Sequence, residues 1–392
     1  MKEKLTPTLK NHETVRAAFP AVETGRYLNV GTYGIMPEPA LLAYLKLVEE
    51  YERFGLFSTE EVHQKAEKTR RAVAKLLGCE ATQITLTGNA TDGINLVLAG
   101  MTWQEGDEVI ITDEEHEAVK HPSLYLLSER GIKVHRVEVS PYPDVMIQRC
   151  NKVASKRTRL VAFSHVTCES GTRLPAAEIC AWAAERDIRS LVDGAQSLGV
   201  FDIKVDHLGC DFFTSNGHKW LSGPKGTGIF YASPEQLLAL SPAHVGAGSL
   251  KHADVDTGEA KLWPTGRRFE YGTRATTLYA GLGYSLEWLG NLGWNNIERY
   301  IAQLSESLKA QVSECSHTHL LTPRPFKQSS GLTTFVTDEW DAGELSRELW
   351  ENSRIRVRVI PRYNATRIST AHFNNEADIK ALMTVLYAIT GK

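Results

Sequence analysis

From Ile84 onward the chain alternates short apolar runs with longer stretches of helical period. The runs Ile84-Thr-Leu-Thr87, Glu108-Val-Ile-Ile-Thr112, Lys133 to Val139, Leu160 to Val166, Ser190-Leu-Val-Asp193, Phe212-Phe-Thr214 and Gly228-Ile-Phe-Tyr231 predict strands. Helical patterns over 89–98, 118–130 and 176–186 fall between them. Strands this apolar, interleaved with helices, predict an α/β fold with a mostly parallel, seven-stranded-type sheet covered by helices. Ahead of it lie a polar arm, an extended segment over 26–30, a turn-rich loop over 31–37, and helices from Pro39 to about 54 and from about 60 to 77. Gly78 stops the second helix. The segment 242–272, rich in Gly, His, Asp and Lys, reads as a long functional loop. Helices over 277–292, 295–315 and 375–389 with strands over 331–336 and 355–360 predict a smaller C-terminal α+β domain. The expected division is an arm over 1–25, a large domain over 26–265 and a small domain over 266–392.

Charge and cysteine usage narrow the partners. A formal net charge of −3 gives no reason to expect nucleic acid or an anionic membrane as partner. No window approaches 18 uninterrupted apolar residues, and the start Met1-Lys-Glu-Lys, without an apolar run, gives no expectation of a secretion signal. Six cysteines lie scattered without Cys-x-x-Cys spacing, which suits reduced core thiols and a cytoplasmic protein.

In open α/β sheets ligands bind beyond the carboxyl ends of the strands. Asn89, His116, Asp193 and Lys219 all lie there. Lys219 sits where a strand runs out into Leu221-Ser-Gly-Pro-Lys-Gly-Thr-Gly228, a place where a desolvated amine suits Schiff-base chemistry, although a surface lysine reads the same way. Asp193 ends an apolar strand and needs a cationic partner, such as a protonated pyridine nitrogen, or else caps a helix. Gln196 follows three residues on. Asn89 to Thr91 opens a helix whose N-terminus suits a phosphate, or is simply capped. His116 is a stacking candidate for an aromatic ligand, or a polar loop residue.

The motifs Asp193-Gly-Ala-Gln-Ser197 and Asn216-Gly-His-Lys-Trp220 resemble those of fold-type I pyridoxal-phosphate (PLP) enzymes of the class V aminotransferase group. That group includes cysteine desulfurases, isopenicillin N epimerase-like proteins and cyst(e)ine C–S lyases. The resemblance implies that the large domain binds PLP, with Lys219 as the Schiff-base lysine, Asp193 on the pyridine nitrogen, Gln196 on the ring oxygen and His116 stacked on the ring. It implies phosphate contacts from Ala90, Thr91 and His218, a cofactor contact from Asn216, and a phosphate contact from Thr273 of a segment that reaches the neighbouring subunit of a homodimer. Arg367 matches the arginine that clamps a substrate carboxylate. The segment Tyr27 to Pro37 resembles the C–S lyases, which places Asn29, Gly31 and Tyr33 at the substrate.

Two departures matter. Neither Phe326 to Gly331 nor Pro361 to Thr366 carries the loop cysteine of a desulfurase. Glu169 stands where relatives often carry an asparagine near the ring oxygen, and it either alters the ring or points elsewhere. The expected reaction is β-elimination from cysteine, cystine or a related S-substituted amino acid to pyruvate, ammonia and a sulfur product. The alternatives are epimerisation, transamination, desulfurase-type chemistry, or a PLP-fold protein that binds without catalysis. No metal is expected.

Overall fold

The computed structural model describes residues 12–390. Part of the predicted arm, residues 1–11, lies outside that range; the rest forms two short helices, His12–Ala17 and Ala21–Thr24. The seven predicted strands form one sheet in the order Ile84–Thr87, Gly228–Ala232, Phe212–Asn216, Arg189–Asp193, Thr158–Ser164, Glu108–Thr112, Lys133–Val137. Only Gly228–Ala232 runs against its neighbours. The strands from Glu108–Thr112 to Phe212–Asn216 pair in parallel, so their carboxyl ends converge on one edge of the sheet. Both faces bury apolar side chains. Phe163, Val192, Phe213 and Ile229 pack into one core, while Leu160, Leu191, Phe212 and Phe230 pack into the other. That two-sided burial is why the strands read as continuous apolar runs rather than alternating ones.

A second sheet has the order Thr318–Leu320, Leu332–Thr337, Ala365–Ser369, Arg358–Ile360. The predicted strand over 355–360 is split. Ile355–Arg356 pairs in parallel with Arg26–Tyr27, whereas Arg358–Ile360 pairs with Ala365–Ser369. This pairing joins the chain's beginning to its last third and lays the 31–37 loop over the cavity edge. Helix Thr276–Leu292 packs on Glu38–Phe54 and Thr59–Leu77.

Several elements escape the sequence pattern. Helix Pro143–Val153 buries only Met146 and Cys150, too few for a clear period. Helix Ala342–Ser353 starts at Asp341, whose carboxylate accepts from the Gly343 and Glu344 amides. Strand Ala365–Ser369 is buried throughout and shows no alternation. The segment read as a loop over 242–272 contains a hairpin, Leu250–Asp254 with Glu259–Leu262. Its residues are largely exposed on both faces, so no buried apolar positions announce strands.

Candidate active site

A cavity of about 620 Å³ opens at the carboxyl ends of the parallel strands. It gathers Ala90, Thr91, His116, Asp193, Gln196, Asn216, His218, Lys219, Gly31, Tyr33 and Arg367 from the predicted set. Two predicted residues stand apart. Asn29 is directed away: its Nδ2 donates to the Val357 carbonyl at 3.3 Å and its Oδ1 accepts from Thr32 Oγ1 at 2.8 Å. Because Thr32 Oγ1 also accepts from Arg367 Nη2 at 3.1 Å, Asn29 lies one hydrogen bond behind the wall. Thr273 is absent from this cavity's wall as well. Its neighbours Gly272 and Arg274 border a separate cavity of about 860 Å³.

Lys219 keeps some accessible surface toward the cavity, yet the surrounding protein pushes its pKa below the usual amine value. The Arg367 and Arg358 guanidiniums add to that, while Asp193 opposes it. Its backbone is clamped. Gly34 N donates to the His218 carbonyl at 2.7 Å, and a Cβ at Gly34 would come within 2.1 Å of the Lys219 carbonyl. Asp193 is buried, and burial raises its pKa against the opposing pull of Lys219. Its Oδ1 accepts from the Ala195 amide at 2.9 Å, and the carboxylate remains suited to a cationic partner.

Gln196 is held at both ends: Nε2 donates to the Gly31 carbonyl at 2.8 Å and Oε1 accepts from Trp220 Nε1 at 3.0 Å. One Nε2 proton remains available toward the cavity. His116 caps the helix Glu117–Ser128, accepting from the Ala118 amide at Nδ1, so the neutral ring carries its proton on Nε2. Enclosure by the cavity walls and the Lys219 charge hold its pKa below the ordinary value, although half of its side chain stays exposed.

Asn89 caps the helix Ala90–Gly100, accepting from Asp92 N, and Asp92 returns a bond to Gly88 N rather than to Asn89. The Ala90 amide donates to Asn216 Oδ1 at 3.0 Å, which leaves the Asn216 amide nitrogen and the Thr91 hydroxyl as donors at the helix N-terminus. Burial lowers the His218 pKa, and an anion beside it would raise it again. Donors, helix dipole and imidazole thus make an anion cradle.

Arg367 is buried, and its Nε has no partner. Nη1 donates to the Cys168 carbonyl at 2.6 Å and Nη2 to Thr32. Burial, with Arg358 directly across the sheet, pushes its pKa down to about 10. A buried cation with no acid paired to it among the described residues, opening on a cavity, is a receptor for a carboxylate. The donor set therefore fits PLP: an amine, a carboxylate for a pyridinium, a flat imidazole and an anion cradle occupy one cavity, with a separate arginine for substrate.

Of the two expectations for Glu169, the structure agrees with the second, since its carboxylate is engaged away from Lys219. Glu169 is tied to Arg362 Nη1 at 3.1 Å and to Lys120 Nζ at 3.5 Å at the cavity's outer wall. Cys168 is the neighbour whose charge interactions reach Lys219 and Arg367, and burial pushes its thiol up to about 12. The acidic turn Asp113-Glu-Glu115 was also unread. Asp113 pairs with Arg362 Nη2 at 2.6 Å, and Glu114 accepts from Tyr363 OH at 2.8 Å, so the 361–363 turn is pinned to the large sheet. No periodicity signals such partners, which are 249 residues apart.

Residues 44–382 match the sequence model of the aminotransferase class-V family. The isopenicillin N epimerase of Streptomyces clavuligerus is 30% identical over 349 residues, spanning 86% of this chain and 87% of that protein. A cysteine desulfurase of Escherichia coli O8 is 31% identical over 344 residues, spanning 83% of this chain and 82% of that protein. Among solved structures, the cystine C-S lyase C-DES in complex with its reaction product cysteine persulfide superposes with a TM-score of 0.87 at 29% identity, covering 94% of this chain and 98% of that one. A C-DES mutant with glycine covalently linked to its PLP cofactor gives the same TM-score and identity, over 95% and 98% of the two chains. The family match over most of the chain and the likeness in sequence and fold show that the chain belongs to the aminotransferase class-V family.

Proposed function

We propose that this chain is a PLP-dependent lyase that cleaves the Cβ–S bond of cysteine, cystine or a related S-substituted amino acid, releasing pyruvate, ammonia and a sulfur product. The cofactor is PLP, which supplies an electron sink for negative charge at Cα when bound at Lys219. Asp193 keeps the ring nitrogen protonated, Gln196 donates to the ring oxygen, and His116 covers the ring. Thr91, Asn216 and His218 hold the phosphate. Arg367 receives the substrate carboxylate in its fork and so orients the Cα proton toward Lys219. Once its Nζ is free, Lys219 takes that proton, helped by burial that disfavours its charged form. Gly31 and Tyr33 border the substrate side of the cavity. The chain works as a homodimer, in which the Gly272–Thr273 segment, placed off its own cavity, serves the partner's site.

The absence of a cysteine from both candidate loops, 326–331 and 361–366, favours elimination over sulfur transfer, and Cys168 on the cavity wall does not replace it. Taking sulfur requires a thiolate, and this cavity cysteine is held as a neutral thiol with its pKa near 12. Sulfur then leaves as a small molecule. The test is a panel of sulfur amino acids read for pyruvate, alanine and sulfide, with Lys219→Ala as control. Pyruvate from the unaltered protein and none from the variant is expected. Alanine with protein-bound persulfide would mean desulfuration, and racemised substrate without pyruvate would mean epimerisation.

A further inference from the structure

Glu115 is a fully buried carboxylate that the proposed reaction does not use. Glu115 accepts three hydrogen bonds, from Thr112 Oγ1 at 2.5 Å, the Ser164 amide at 2.9 Å and Ser164 Oγ at 2.7 Å. Ser164 ends its strand in register with Asp193 on the next one, and both line the cavity. Paired residues on neighbouring parallel strands project from the same face, so the serine stands beside the carboxylate. A serine hydroxyl carries one proton, and Ser164 gives it to Glu115. Any hydrogen bond that Ser164 makes toward the cavity is therefore one it accepts. An ionised Asp193 is likewise an acceptor only.

We propose that Glu115 is a positioning residue that holds Ser164 as a second acceptor beside Asp193, so that the cavity floor selects a ring nitrogen that carries a proton. The proposal rests on PLP being the cofactor. Glu115→Gln is nearly isosteric, but it places an amide donor against Ser164 Oγ and frees the serine proton to point into the cavity. Ser164→Ala removes the acceptor outright and keeps the proposal open to refutation should the glutamine variant fail to fold.

The experiment measures, at a pH of about 8.5 where Glu115 is ionised, dissociation constants of the apo-protein for PLP and for the analogue whose ring nitrogen is replaced by C–H, followed by absorbance and fluorescence without turnover. The unaltered protein is expected to prefer PLP. Each variant should lower that preference by about tenfold, the value of one hydrogen bond to a charged group, while affinity for the analogue changes little. Because both substitutions remove the same contact, the double variant should fall no further than the singles. Equal weakening of both ligands, or an unchanged preference in both single variants, overturns the proposal. Failure of the unaltered protein to bind PLP overturns the cofactor reading along with it.

Discussion

Arg367→Met should make the apo-protein more stable while disabling it. Burial holds the Arg367 pKa near 10, against about 12.5 for a free arginine. For a base, a depressed folded-state value means that the unfolded chain holds the proton more tightly. The penalty is fully present below about pH 10 and is relieved only between there and the unfolded value. At neutral pH it amounts to roughly 3 kcal/mol. Methionine removes the charge but leaves the Cys168 carbonyl without its donor, at a cost of about 1 kcal/mol, while Thr32 keeps its bond to Asn29. The net gain is about 1–2 kcal/mol. With roughly 2.1 cal/mol/K of unfolding entropy per residue, a chain of 392 residues shifts its Tm by about 1–3 °C for that gain. Calorimetry of the two apo-proteins at pH 7 measures this directly. In the loaded enzyme the variant forfeits two charge-assisted hydrogen bonds of roughly 1.5–3 kcal/mol each, so kcat/KM should drop at least about a hundredfold. A lower Tm together with an unchanged kcat/KM would refute the view of Arg367 as a buried cation kept for a carboxylate.

Two further outcomes follow from the same geometry. Trp220→Phe removes the indole donor to Gln196 Oε1 in the buried cluster that holds the Gly31 carbonyl, and should cost about 1–3 kcal/mol, with faster amide exchange over residues 31–34 as the local readout. Glu115→Gln should flatten a pH slope. Burial pushes Glu115 up to about 7 from an ordinary value of 4.5, so the folded state binds the proton more tightly than the unfolded one. The unaltered protein should lose about 3 kcal/mol relative to the variant as pH rises from about 4.5 to 7, and melting curves across that window would show it. A stability difference independent of pH there would argue against a buried, titrating carboxylate.

How much of this was legible beforehand depends on the range of the interactions. Six of the seven strands were readable because burial on both sheet faces writes itself into consecutive apolar residues, whereas the edge strand Lys133–Val137 is largely exposed. Asn89 was readable as a cap because its partner, Asp92, lies three residues away. Asp193, Gln196 and Lys219 were readable as a set because the chemistry of a desolvated amine and an unpaired carboxylate is specific. The exposed hairpin at 250–262 was not, since nothing buried marks it.

What the sequence determined by itself is therefore the α/β sheet and the residues at the carboxyl ends of its strands. The tertiary structure alone decided which side chains share the cavity. It set Cys168 rather than Glu169 against Lys219 and Arg367, moved Asn29 behind Thr32, and packed Glu115 beneath Ser164. It also brought Arg367 to within hydrogen-bond reach of a loop 335 residues earlier in the chain. The physical reason is that local periodicity records which face of an element is buried. The direction of a loop side chain depends on hydrogen-bond partners from distant elements, and these exist only once the two sheets have come together.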